Sequence, residues 1–133
     1  MKYVDSNIFV YALGNTDKKT KKCIHILEKI TKKEIESSTS LLTWDEFYYT
    51  IKKQMSKEEA VEESKKFLNF PNLIFLEVTK EIISKAQELI SEYNLKPRDA
   101  IHAASAIKNN IKEIISDDPD FDKIKEIERI KVE

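Results

Sequence analysis

A single glycine and three prolines in 133 residues leave this chain few places to reverse direction tightly. An all-β barrel or sandwich needs a tight turn at almost every strand end, so the scarcity argues for long helices joined by short connections. Apolar residues make up 41% of the chain and are spread along its whole length, which favours a folded domain over disorder. One compact domain, residues 1–133, is expected, and at this size it buries roughly two-thirds of the surface exposed by the unfolded chain.

Apolar periodicity orders the elements. Tyr3-Val4-Asp5 reads as a short strand ending in an acid, and Ile8 to Tyr11 as a short helix. Between Lys19 and Ile30, the residues Cys23, Ile24, Leu27 and Ile30 mark one face of a helix. Glu34 to Ser38 is a weak second strand, and Ser40 to Lys53 a helix striped by Trp44, Phe47, Tyr48 and Ile51. Ser56 and Glu59 have capping-box spacing at the head of a further helix that ends near Phe70-Pro71. The run Leu73 to Val78 is apolar at both parities, as suits a strand covered on both faces in a parallel sheet.

Thr79 can cap a helix striped by Ile82, Ile83, Ala86, Leu89, Ile90 and Tyr93, and Pro97 can open another. Ala100, Ala103, Ala104 and Ala106 let that last helix pack closely. Ile114 to Ser116 is a short buried strand before an acidic turn, and Ile130 with Val132 adds an edge strand. The alternation predicts an α/β fold, a mostly parallel sheet of about four to five short strands flanked by helices.

Formal net charge is -1, from 23 basic and 24 acidic side chains, so any nucleic-acid contact must come from local patches. Lys18, Lys19, Lys21 and Lys22, or Lys29, Lys32 and Lys33, are candidates, although a lysine-rich helix face is first of all a solvated one. Cys23 is alone, which excludes an intrachain disulfide or a cysteine zinc cluster and suits a reducing cytoplasm. No signal-peptide pattern opens the sequence, and no apolar run approaches the roughly 20 residues of a bilayer span, so a soluble cytoplasmic protein is expected.

Ligands of open parallel sheets bind beyond the carboxyl ends of the strands, and four acids fall there. Asp5 follows the first strand, Asp118 follows Ile114 to Ser116, Asp99 lies in the first turn of the Pro97 helix, and Glu46 near the start of the Trp44 helix. Clustered carboxylates raise each other's proton affinity, and a hard divalent cation relieves the repulsion. Oxygen-only ligands suit Mg²⁺ or Mn²⁺, which can activate water and stabilise charge on a phosphodiester, the work of metal-dependent nucleases.

Each acid also has a plainer reading. Asp5 with Ser6 and Asn7 can form a turn, Glu46 can complete a capping box with Thr43, and Asp99 suits the helix dipole two residues after Pro97. Asp117, Asp118, Asp120 and Asp122 can all be turn residues. His102, one turn after Asp99, is better read as structural or surface than as a ligand or base, and His25 is weaker still. Trp44, Tyr48 and Tyr49 can stack on bases, but an aromatic stripe at helical spacing suits a core or dimer contact better.

Taken together, the blocks resemble the PIN-domain family and its VapC-like toxin ribonucleases. Tyr3-Val4-Asp5-Ser6-Asn7-Ile8-Phe9 resembles the family's opening, and Ser40-Leu41-Leu42-Thr43-Trp44-Asp45-Glu46 the segment carrying its glutamate. Leu95 to Ala104, with Pro97-Arg98-Asp99, is similar to the third block, and Ser116-Asp117-Asp118-Pro119-Asp120-Phe121 to the last. The resemblance implies a Mg²⁺- or Mn²⁺-dependent endoribonuclease, commonly a homodimer, with RNA as substrate and an antitoxin that occupies the active-site groove. By position Asp5, Glu46 and Asp99 take the roles of the family's acids, with Asp118 as the fourth and Ser116 or Asn7 as polar support. Asp117 is an alternative for the fourth acid, although Ser116-x-Asp118-x-x-Phe121 fits the spacing better.

Arg98 and the early lysines are candidate phosphate contacts. A housekeeping PIN nuclease of RNA maturation and a non-catalytic α/β interaction module are the competing readings. A phosphoacceptor role for Asp5 in a receiver-like domain is disfavoured, because Ser6 and Asn7 stand where an acidic pair belongs.

Overall fold

The computed structural model describes residues 1–14 and 17–132. Strand β1 (Lys2–Val4) runs into helix α1 (Ser6–Ala12) and α2 (Lys18–Thr31), then β2 (Ser37–Ser40) and α3 (Leu42–Lys52). There follow α4 (Lys57–Leu68), β3 (Leu73–Leu76), α5 (Lys80–Glu92), α6 (Pro97–Lys108), β4 (Glu113–Ile115), a 3-10 turn over Pro119–Lys123, and β5 (Glu128–Ile130). All strand pairs are parallel, in the order β3-β2-β1-β4-β5. The α/β class, the parallel sheet and the flanking helices expected from the sequence are all present.

Local chemistry explains most element boundaries. Ser56 and Glu59 form a reciprocal capping box at the head of α4, Thr79 accepts from Ile82 N at the head of α5, and Pro97 occupies the first turn of α6. Adjacent strand residues point to opposite faces and so divide the core in two. Tyr3 and Ile114 pack with Leu89, Ala100, Ala103 and Phe121 under α5 and α6, while Val4 and Ile115 pack with Ile8, Phe9, Phe47 and Phe67 under α1, α3 and α4. The result is a sheet layered between helices.

Three expectations are corrected. The second strand is not Glu34 to Ser38 but Ser37–Ser40, a wholly buried run of hydroxyl residues between β3 and β1. Both neighbouring strands pair with its backbone, and Thr39 Oγ1 bonds the Val4 carbonyl oxygen and Thr43 Oγ1, whereas the buried hydroxyls of Ser37 and Ser38 have no hydrogen-bond partner among the described residues. The apolar run from Leu73 does not sit covered on both faces: β3 is an edge strand, shorter than expected, with Ile74 half exposed. Trp44 is likewise not core but a partly exposed ring stacked on Tyr48, while Phe47 and Ile51 of the same helix are buried.

Candidate active site

The carboxyl ends of β1 and β4 lie side by side and set two acids next to each other. Asp5 follows β1 directly and caps α1, its Oδ1 accepting from Ser6 N at 2.7 Å. Ser116 follows β4, and its hydroxyl donates to Asp5 Oδ2 at 2.6 Å while its Oγ accepts from Asp118 N at 3.0 Å. Asp118 in turn caps the 3-10 turn by accepting from Asp120 N at 2.9 Å. One hydroxyl thus fixes the positions of two acids from different strand ends.

Helix α6 brings the third acid. Carboxylate oxygens of Asp99, Asp118 and Asp120 lie within 4.8 Å of one another, and all three residues are partly buried. Burial, and then the negative charges of Asp118 and Asp5, push the Asp99 carboxyl up to about 6. Asp5 is also raised, by burial in the first place and by Glu46 in addition, while His102 and the Ser116 hydroxyl hold it down.

Glu46 reaches the site from α3, but not as the capping-box partner of Thr43. Leu41 precedes α3 with no side-chain cap, Thr43 is buried against Thr39, and a Glu46 carboxylate oxygen instead meets His102 Nε2. His102 is fully buried, with Tyr3 Oη at its Nδ1 and Asp5 Oδ1 3.8 Å from its Nε2. Burial alone lowers the basicity of such an imidazole, but the Glu46 hydrogen bond and the charges of Asp5, Glu46 and Asp99 outweigh it, and the net direction is upward.

All four acids singled out from the sequence therefore converge on one end of the sheet. The two candidates for the fourth position separate in space: Asp117 turns away to pair with Lys19 at 2.7 Å, whereas Asp118 faces Asp99 and Asp120. Arg98 pairs with Asp45 at 3.3 Å. Sequence reasoning missed Asp120, read only as a turn residue, and the contacts of Tyr3 and His102 with this end of the sheet. A signal existed for both of the latter, because Tyr3 shares a strand face with Asp5, and His102 a helix face with Asp99.

The donors fit a hard divalent cation. They are all oxygens, their mutual repulsion is what such a cation relieves, and the buried Asn7 Oδ1 beside Ser116 has no hydrogen-bond partner among the described residues. Asp99, Asp118 and Asp120 lie close enough together to share a cation, and Asp5 is near enough for its charge to raise the Asp99 carboxyl.

The family model described as PIN domain matches residues 2–127. This chain belongs to the PIN domain family. Ribonuclease VapC2 of Methanocaldococcus jannaschii is 28% identical to this PIN domain over 143 residues, spanning 98% of the chain and 93% of that protein. The structure of VapBC2 from Rickettsia felis, bound to a DNA fragment from their promoter, matches with a TM-score of 0.79 and 21% identity across all of both chains. VapC20 of Mycobacterium tuberculosis, a sarcin-ricin loop cleaving toxin, matches at 0.74 with 16% identity over 92% of this PIN domain and 93% of that chain. At these identities the structural likeness speaks for the fold.

Proposed function

We propose that this PIN domain is a divalent-metal-dependent endoribonuclease and the toxin half of a toxin-antitoxin pair. The observation that carries the reading is the convergence of Asp99, Asp118 and Asp120 beside Asp5, with Asp99 held near 6 by burial and its acidic neighbours. The 28% identity with ribonuclease VapC2 of M. jannaschii supports RNA as the substrate class.

When bound, Mg²⁺ or Mn²⁺ supplies Lewis acidity that activates a water and offsets the charge developing on a phosphodiester. Asp5, Asp99 and Asp118 would hold the ion, with Asp120 in reach, and Glu46 would complete the shell or orient the attacking water. Ser116 and Asn7 support the acids as hydrogen-bonding neighbours. The partners that follow are a small antitoxin protein that covers the acidic site and a second copy of this chain. Solved relatives such as the R. felis VapBC2 complex support the antitoxin.

Controlled expression of the chain in a bacterial host tests the toxin reading. Growth arrest with loss of one RNA species is expected for the natural sequence, and normal growth for Asp99→Asn. Equal growth of both strains at equal protein levels contradicts it.

A further inference from the structure

The polar chain behind Glu46 is built with more care than gluing two helices together requires. Tyr3 and His102 are both completely buried, Tyr3 within the cluster under α5 and α6. Ser40 N donates to Tyr3 Oη at 3.1 Å, which occupies an acceptor position of that oxygen and leaves the phenol proton to be donated elsewhere. The partner that faces it is His102 Nδ1. A phenol proton donated to Nδ1 places the ring's own proton on Nε2, which meets the Glu46 carboxylate; a ring charged at both nitrogens would reverse the Tyr3 bond, so the direction of that bond is part of the proposal. Backbone, phenol, imidazole and carboxylate thus form one directed chain from β2 through β1 and α6 to α3.

We propose that Tyr3 and His102 are positioning residues for the ribonuclease site, with Tyr3 fixing the Nε2–H form of His102 and that N–H holding the Glu46 carboxylate toward Asp5. The inference rests on the nuclease reading for its consequence, but not for its geometry. Glu46 is the one acid of the four that stands on a helix interior with a long, rotatable side chain; it has no other hydrogen bond among the described residues. Fixing a side chain of this kind costs rotamer freedom, so a preset anchor removes that cost from the reaction. His102 Nε2 is the anchor, and its 3.8 Å approach to Asp5 Oδ1 holds the two acids in a common field.

Two measurements test this. Nitrogen NMR of metal-free protein labelled at histidine, with the His25 signal assigned by His25→Gln, reads the proton position on His102 without any activity. A ring with its one proton on Nε2 in the natural protein, and a mixture of ring forms in Tyr3→Phe, are expected; a bare Nε2, a ring protonated at both nitrogens, or an unchanged spectrum in Tyr3→Phe, overturns the proposal. The second is a cycle of RNA cleavage with Mn²⁺. Tyr3→Phe lowers kcat about tenfold with KM nearly unchanged, but lowers it less than about twofold when Glu46→Gln is already present, as coupled groups of one network do. His102→Gln, which keeps a donor near Glu46, retains more kcat than His102→Leu. Equal losses with and without Glu46→Gln assign the pair a merely structural role. If the natural protein cleaves no RNA, the nuclease reading fails while the nitrogen spectra still decide the relay.

Discussion

Ser116 donates its hydroxyl proton to Asp5 Oδ2 at 2.6 Å, joining the carboxyl ends of two neighbouring strands across a fully buried contact. The same oxygen accepts from Asp118 N, so one small side chain sets the distance between two acids. Ser116→Ala removes both bonds and leaves Asp5 buried with one partner fewer. A stability loss of about 1–3 kcal/mol in chemical denaturation is expected, together with weaker Mn²⁺ binding by calorimetry. Unchanged values in both would remove Ser116 from the account.

Asp117 and Asp118 are consecutive, yet they face different partners. The Lys19–Asp117 pair is partly exposed, and solvent screens such pairs until they add little to stability, so Asp117→Asn should leave both Mn²⁺ affinity and stability close to the natural values. Asp118→Asn should weaken Mn²⁺ binding at least about tenfold, because it removes a charged oxygen from the cluster with Asp99 and Asp120. Calorimetric titration of the two variants side by side checks this, and the reverse ranking would move the fourth acid to Asp117.

Asp120 carries its own prediction. Its carboxylate shares the 4.8 Å cluster, so Asp120→Asn should weaken Mn²⁺ binding by a few-fold, less than Asp118→Asn, without loss of the fold. An affinity equal to that of the natural protein would leave Asp120 as a turn residue only.

The pH dependence follows from Asp99. Its folded-state pKa, about 6, lies above that of the unfolded chain, so between roughly pH 4 and 6 the folded state binds more protons. The metal-free fold must therefore lose stability as pH rises through that window. Asp99→Asn should recover roughly 1 kcal/mol near neutral pH after allowance for screening of a half-exposed carboxylate. Mn²⁺ competes with the same proton, so its apparent affinity should rise with pH up to about 6 and then level off. Thermal melts and calorimetry between about pH 4 and 8 read both effects; an affinity independent of pH would contradict the coupling.

Much of this arrangement was legible in the sequence because it depends on local rules. A strand that ends in Asp5, a helix opened by Pro97 with Asp99 in its first turn, and a buried strand followed by Asp118 each leave a short-range mark, and a parallel sheet brings such ends together. The strand Ser37–Ser40 left almost none. Four hydroxyl residues have no apolar alternation, and only pairing on both sides with β1 and β3 makes them a strand. The Glu46–His102 contact was hidden for a related reason: the partners are 56 residues apart, and Glu46 three residues after Thr43 offered a local explanation that the fold does not use. The edge position of β3 was equally invisible, since an apolar run does not tell which strands will flank it.

Cleavage of a mixed RNA pool by purified protein with Mn²⁺, with Mg²⁺ and with chelator, beside Asp99→Asn, decides whether the acidic cluster is a metal-dependent ribonuclease site. Cleavage is expected to require a divalent ion and to fall at least about a hundredfold in Asp99→Asn, the order of loss expected when a group stabilising the transition state is removed. Cleavage that persists in chelator, or at the natural rate in well-folded Asp99→Asn protein, would contradict that assignment.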